Sequence, residues 1–187
     1  PINLEAFRRQ NPRTWYVPHA YDPAVHHNIG RTNSRPFAFV GTGYPSRIEL
    51  LEKVDWPCTP TLAGNWQSLE ADSPLMPFLL NDPNECLDNT DTADLYRSAI
   101  TSANIYRKEA HADDLVDGWA MGPREVELAA CGTWFAREAR GEGDELFPML
   151  PTFTEPGELT EQIRWALDNP DARQTAVDAA RAAIADR

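Results

Sequence analysis

The chain is 187 residues long, and its 17 Lys and Arg against 29 Asp and Glu leave a formal charge of −12. That length suits one ordinary domain, and a composition of 42% hydrophobic and 25% charged residues describes a chain that buries a real core rather than remaining disordered. The acidic balance argues against a nucleic-acid binder and against docking on an anionic membrane surface, and no apolar run approaches the ~20 residues of a membrane-spanning helix.

In chain order, the pattern predicts a short amphipathic helix over Asn3–Gln10, with Asn3 as cap and Leu4 and Phe7 on one face, then an extended stretch over Thr14–Pro18. Pro23–Arg35 carries Pro, Gly, Asn, Ser and His and reads as a loop or linker. Residues 1–35 are therefore expected to lead into an organised domain over 36–187. Phe37–Val40 is a buried-strand signal that runs into Gly41-Thr42-Gly43, and Pro45–Val54 repeats Ile48, Leu51 and Val54 at helical spacing. Thr59–Ala63 is a second strand, closed by Gly64-Asn65, whereas Ser73–Asp88 is proline-rich and carries no clear signal. A helix over Thr92–Ser98 and a strand over Ile100–Tyr106 follow. Pro123–Cys131 has proline in its first turn and Gly132 just past its end, the asymmetry of a helix. Thr133–Ala136 is a strand, Glu142–Phe147 a single helical turn and Pro151–Phe153 a last short strand. Pro156–Leu167 repeats Leu159, Ile163 and Leu167, and a final helix after Asn169-Pro170 presents Ala172, Ala176, Val177, Ala180 and Ile184. Short strands alternating with helices predict crossover connections and a mostly parallel sheet, hence a doubly wound, Rossmann-like α/β fold.

Such sheets bind ligands at the carboxyl ends of their strands, which directs attention to the loops after the strands. Two of the basic residues, Lys53 and Lys108, are lysines and all the rest are arginines, the side chain that grips phosphate or carboxylate bidentately. In the first loop, Gly41-Thr42-Gly43-Tyr44-Pro45-Ser46-Arg47 passes from strand through glycines into a helix, a ready anion site with Arg47 in the first turn. It is neither the full dinucleotide fingerprint, whose third glycine falls on Ser46, nor a P-loop. The glycines are equally accounted for by a tight turn. Gly118 to Gly132 holds the second constellation: Arg124 opposes the dipole at a helix N-terminus, so it needs an anionic ligand or a partner such as Glu125 or Asp117. Glu127 lies one turn further on, within reach of a ligand resting on that helix end, or on a solvated face.

Other features have plain structural explanations. Adjacent His26 and His27 point apart in an extended chain; His111-Ala112-Asp113-Asp114 could ligate a metal but reads first as the opening of a short helix; Asp82 to Asp94 lacks the spacing of a calcium loop. Trp66, Trp119, Trp134 and Trp165 belong to the core or line a cleft. Cys58, Cys86 and Cys131 are an odd number without Cys-x-x-Cys spacing, so neither a disulfide framework nor a zinc site is expected and no metal is assigned. With no signal-peptide pattern in Pro1-Ile2-Asn3-Leu4-Glu5, the expected location is cytoplasmic.

Glu127-Leu128-Ala129-Ala130-Cys131-Gly132 resembles the Glu-x-x-Ala-Cys-Gly signature in the nucleotide-sugar domain of GT-B glycosyltransferases. Tyr96-Arg97-Ser98-Ala99, Asn104-Ile105-Tyr106-Arg107, Gly122-Pro123-Arg124, Phe39-Val40-Gly41, Glu145-Leu146-Phe147-Pro148 and Glu158-Leu159 are similar to the spore-maturation-protein-like, group 1 branch. The resemblance runs from about Tyr16 to Arg187 and covers the carboxy-terminal half of such an enzyme. It implies two facing Rossmann-like domains, of which this chain supplies the one that binds the nucleotide diphosphate sugar. An N-terminal acceptor-binding domain or a separate chain then completes the cleft, and the acceptor is unknown.

By the same resemblance Glu127 holds the ribose hydroxyls of the donor, Arg47 and Arg124 with the amides of Gly41 to Gly43 hold the diphosphate, Gly122 adjoins it, and the Cys86-Leu87-Asp88 region, with Asp88 as its polar member, contacts the base. The first glutamate of the family's pair falls on Trp119. No catalytic residue is assigned, and no cofactor is implied beyond the donor substrate. The isolated chain is accordingly expected to bind donor without turning it over. A non-catalytic nucleotide or sugar-phosphate binding module, or an epimerase-like hydrolase on the same fold, would show the same motifs.

Overall fold

The computed structural model describes residues 4–109 and 118–187. The body is a sheet of four parallel strands, β1 (Arg35–Val40), β2 (Pro60–Ala63), β3 (Ala99–Asn104) and β4 (Trp134–Arg137), in the order β2-β1-β3-β4. Phe37 pairs with Pro60 on one side and Thr101 on the other, and Asn104 lies in register with Arg137. Because helices cover the sheet, its strands are buried on both faces: Phe37, Ala38, Phe39, Leu62, Ala63 and Phe135 are wholly enclosed, and β3 buries the polar Thr101, Ser102 and Asn104.

The helices are α1 (Leu4–Gln10), α2 (Pro45–Glu52), α3 (Asn89–Ser98), α4 (Pro123–Cys131), α5 (Gly141–Leu146), α6 (Pro156–Asp168) and α7 (Pro170–Ala183). α3 packs on α4, α6 on β3 and β4, and α7 on both α4 and α6. α4 ends on Gly132, whose φ of +75° is the left-handed stop that the Cys131-Gly132 pair predicts. Of the segment before β1, Val25 and Tyr21 pack on the core. Arg31 donates to the carbonyls of Cys131 (3.1 Å) and Ala99 (2.9 Å), and Arg97 donates to the carbonyl of Val25 (2.7 Å). The final stretch of the lead segment is thus strapped to the sheet domain.

Element ends differ from expectation where long-range hydrogen bonds decide them. β3 stops at Asn104 rather than Tyr106, because the Ile105 carbonyl accepts from Arg47 and the Tyr106 amide donates to the Glu138 carboxylate at 2.6 Å. α3 begins earlier than predicted, with Asp88 accepting the Asp91 amide at 2.8 Å as its cap. Pro151–Phe153 makes a single parallel bridge, Thr152 to Arg137, in the place of a fifth strand. The Ser73–Asp88 stretch is ordered by Asn81, which accepts from the Gly64 amide at 2.9 Å and donates back to its carbonyl at 3.2 Å, while Leu79 bridges Leu62 beside β2. The cap expected at Asn3, the His111-Asp113-Asp114 cluster and Asp117 lie outside the described residues. Among the described residues no three metal-ligating side chains converge, and no helix is long and apolar enough to cross a membrane.

Candidate anion-binding site

The chain leaves β1 for β2 on one side of the sheet and crosses to β3 on the other, so the carboxyl ends of β1 and β3 diverge and open a crevice, the usual binding place in doubly wound sheets. The crevice measures about 270 Å³ and is lined by Arg47, Asn104, Ile105, Tyr106, Gly122, Pro123 and Arg124. Its size is close to the lower end of small-molecule sites, commonly ~300–1,000 Å³.

Arg47, in the first turn of α2, is buried. Its Nε and Nη2 donate to the Ile105 carbonyl at 3.0 and 2.7 Å, and its Nη1 to the Thr42 carbonyl at 3.0 Å. Arg124, in the first turn of α4, reaches across to donate from Nε to the Val40 carbonyl (3.0 Å) and from Nη1 to Asn104 Oδ1 (3.1 Å). Both guanidiniums rest on the Phe39 ring, 5.7 and 4.8 Å from its centroid. Burial lowers the Arg47 pKa to about 10, and the nearby Arg124 charge pushes the same way. Neither arginine forms an ion pair among the described residues. Two adjacent cations whose hydrogen bonds go to neutral acceptors, in a chain of charge −12, form a positive focus.

Behind them lies a buried polar cluster. Glu125 Oε1 accepts from Asn104 Nδ2 at 2.8 Å and from the Tyr106 hydroxyl, and more distantly from the Gly122 amide at 3.5 Å. Its Oε2 has no hydrogen-bond partner among the described residues, and burial raises its carboxyl pKa although these hydrogen bonds and Arg137 oppose the shift. Burial likewise raises the Tyr106 phenol, with the Glu125 charge adding to it.

Residues 24–187 match the family described as "Glycosyl transferase-like". The chain belongs to that family. Sucrose-phosphate synthase from Thermosynechococcus elongatus has a similar solved structure, with a TM-score of 0.63 at 14% identity over 97% of this chain and 51% of that one. This chain therefore spans about half the length of that enzyme. The likeness is one of fold, a Rossmann-like α/β layer found in GT-B glycosyltransferases. No curated protein matches.

Within this family member, Arg47, Arg124 and Gly122 come together at the crevice. The glycine loop takes a different part from the one its pattern suggests. The Gly41 amide donates to the Ala63 carbonyl (3.0 Å) and the Gly43 amide to the Asn65 carbonyl (2.8 Å), continuing the pairing with β2. What glycine supplies is room: a Cβ on Gly41 would stand 2.5 Å from Arg124 Nη2, and one on Gly43 2.5 Å from the Trp66 indole. Glu127 is half-buried on α4, one turn from Arg124, and carries no ion pair among the described residues. It faces α3. The Tyr96 phenol, raised to about 12 by burial, has Arg124 hydrogen-bonded beside it and is pushed further up by Glu127. Asp88 is exposed, and its Oδ1 accepts the Asp91 amide as the α3 cap.

Trp119, where the resemblance aligns a glutamate, packs its indole over Gly141, where a Cβ would stand 2.4 Å away, and edge-on to Tyr16 at 5.8 Å. Sequence reasoning did not place Asn104 or Tyr106 at the site, and it offered Glu125 only as a partner for Arg124. In the structure Glu125 reaches Arg124 through Asn104 instead. The sole local signal was the third helical position of Glu125 after Gly122, the place of a capping glutamate.

Proposed function

We propose that this chain is the nucleotide-sugar-binding half of a GT-B glycosyltransferase of the spore-maturation-protein-like branch. Residues 36–187 form the donor domain and residues 1–35 the segment leading into it. The observation that carries this reading is the pair of guanidiniums, Arg47 and Arg124, that stand at the switch point of the sheet with no ion pair among the described residues. When the bond between the sugar and the diphosphate breaks, negative charge grows on the departing phosphate oxygen. Fixed cations at that place stabilise it without reorganising.

Arg47 keeps its remaining N–H groups for such an anion, and Arg124 Nη2 adjoins Gly41 at the mouth of the first loop. Glu127, one turn along α4 from Arg124, is the group that accepts from the ribose hydroxyls in this reading, since a carboxylate can accept from two vicinal hydroxyls at once. Asp88, at the start of α3, is the polar group offered to the base. The chemistry requires no cofactor apart from the donor. The acceptor and the opposing wall of the cleft come from a facing domain or a separate chain. Three unpaired cysteines accord with a cytoplasmic site of action.

Calorimetric titration of the 187-residue chain with nucleoside diphosphates, their sugars and the free nucleosides tests this reading. Binding of the diphosphates with weak binding of nucleosides is expected. Glu127→Ala should weaken nucleoside diphosphates by about ten- to a hundredfold, the effect of ~1.5–3 kcal/mol for hydrogen bonds to a charged acceptor. It should leave inorganic pyrophosphate binding and the melting temperature as they were. Indifference of the wild-type chain to every diphosphate sinks the proposal.

A further inference from the structure

A buried carboxylate that leaves one oxygen without a partner destabilises a fold unless it is needed for something. Glu125 is such a group: wholly buried, with Oε2 unpaired among the described residues, and only a 3.5 Å contact to the Gly122 amide that would count as helix capping. Its other oxygen receives the Asn104 amide nitrogen, and the oxygen of that same amide receives Arg124. The order is chemically forced. Arg124 can only donate, so it must face Oδ1; Glu125 Oε1 accepts, so it must face Nδ2. The Asn104 main chain is held as well, since its carbonyl accepts the Glu138 amide at 3.1 Å.

We propose that Glu125 and Asn104 are positioning residues for the anion clamp: Glu125 fixes the amide orientation of Asn104, and Asn104 fixes the Arg124 guanidinium against the end of β1. This rests on the reading of Arg47 and Arg124 as diphosphate ligands. A guanidinium at a helix N-terminus beside a second guanidinium is repelled by both, and it keeps its place through the Val40 carbonyl and Asn104, with the Phe39 ring beneath it and the Tyr96 phenol beside it. Neutral Asn104 does this without cancelling the charge that the ligand needs, which an aspartate there would do. The relay thereby explains why the polar pair is retained in a region that could otherwise be apolar.

The test uses the full chain, inorganic pyrophosphate as probe, and the ¹⁵N–¹H signal of Arg124 Nε in the ligand-free protein. Asn104→Ala should weaken pyrophosphate about tenfold, and Arg124→Ala about ten- to a hundredfold. The double variant should be no weaker than Arg124→Ala alone. Glu125→Gln, which keeps an acceptor for Asn104, should bind as wild type does, while Glu125→Leu should lose about tenfold. The Arg124 signal should move in Asn104→Ala and Glu125→Leu and stay in Glu125→Gln.

Additive losses in the double variant would mean that Asn104 acts independently of Arg124, and equal losses for Glu125→Gln and Glu125→Leu would mean that charge rather than orientation matters. Either overturns the relay. Should Glu125→Leu fail to fold, the Asn104 cycle still decides. If Arg124→Ala binds pyrophosphate as tightly as wild type, the anion-site reading fails. The Arg124 signal then judges the relay by itself, an unmoved signal in Asn104→Ala overturning it.

Discussion

The Glu109 carboxylate accepts the backbone N–H of Ser46 at 2.7 Å, so the amino end of α2 is occupied by an anion from the same chain. Burial works against the charge, and the Ser46 hydrogen bonds outweigh it, so the Glu109 carboxyl lies below its ordinary range. The same charge acts on Arg47, two residues into the helix. A helix N-terminus with an arginine nearby is where a phosphate would rest, and here a side chain rests there already.

Glu109 therefore competes with an incoming anion. Glu109→Ala should raise pyrophosphate affinity about two- to fivefold, the size of a helix-end charge interaction of ~0.3–1 kcal/mol. The gain should shrink as salt is added. Calorimetry at low and high ionic strength measures both, and a loss of affinity would show that Glu109 organises the loop rather than blocking it.

Arg47 and Arg124 should separate in their effects on stability. Arg47 donates twice to the buried Ile105 carbonyl, which Arg47→Ala deprives of both donors, and once to the part-buried Thr42 carbonyl, which keeps the Tyr44 amide. That variant should lose about 1–3 kcal/mol of unfolding free energy along with its anion affinity. Arg124 is less buried and donates to one main-chain carbonyl, with its other contacts to the Asn104 and Tyr96 side chains, so Arg124→Ala should lose affinity with the smaller fall in stability. Urea unfolding beside pyrophosphate titration measures the two quantities. Equal destabilisation by both would remove the distinction between a clamp that builds the crevice and one that serves it.

The architecture was legible because its signals are local. Phe37–Val40 is apolar throughout, and Pro123 and Gly132 punctuate α4 at its two ends. The ordering of Ser73–Asp88 was not legible, since it depends on Asn81 meeting Gly64 across 17 residues. The same holds for the site. Arg47 and Arg124 stood out as cations at helix starts, but Asn104 and Glu125 are 21 apart and meet only because β3 ends beside the start of α4. The glycine loop misled for a related reason: its pattern fits both an anion cradle and close packing, and the partners that decide, Ala63, Asn65 and Trp66, belong to the next strand and its loop.

Glu125 should give stability an unusual pH dependence. Its carboxyl is raised by burial above the ordinary value of 4.5, so between that value and the raised one the native state binds more protons than the unfolded state. By linkage, this group's contribution falls as pH rises through that window, and it is most favourable below the unfolded value. Glu142 and Glu158, whose carboxyls are lowered, act in the opposite sense and lose their contribution as pH falls. The difference in unfolding free energy between Glu125→Gln and wild type isolates the Glu125 contribution. It should move in favour of Glu125→Gln as pH rises from 4.5 and level off above the raised value. A difference that stays flat across that range would show that Glu125 is no harder to ionise in the fold than in the unfolded chain.

Gly41 and Gly122 offer a last comparison, because both border the crevice and only one is required by the packing. A Cβ at Gly41 would come within 2.5 Å of Arg124 Nη2, whereas one at Gly122 would meet nothing nearer than the Tyr106 ring at 3.6 Å, an ordinary contact. Gly122 has φ −93° and ψ 160°, which any residue adopts, so glycine is not needed there for the backbone. Gly41→Ala should therefore push the guanidinium aside and weaken pyrophosphate about tenfold without removing a charge. Arg124→Ala in the same background should add little further loss, since the displaced side chain no longer contributes. Gly122→Ala should fold with unchanged stability, and any loss of affinity it shows reports a ligand that passes close to the α4 start. Crystal structures of the two variants would show a shifted Arg124 in the first and an unshifted one in the second; an unmoved Arg124 in Gly41→Ala would mean that the β1 end yields instead, and that the close approach of loop and guanidinium does not set the geometry of the clamp.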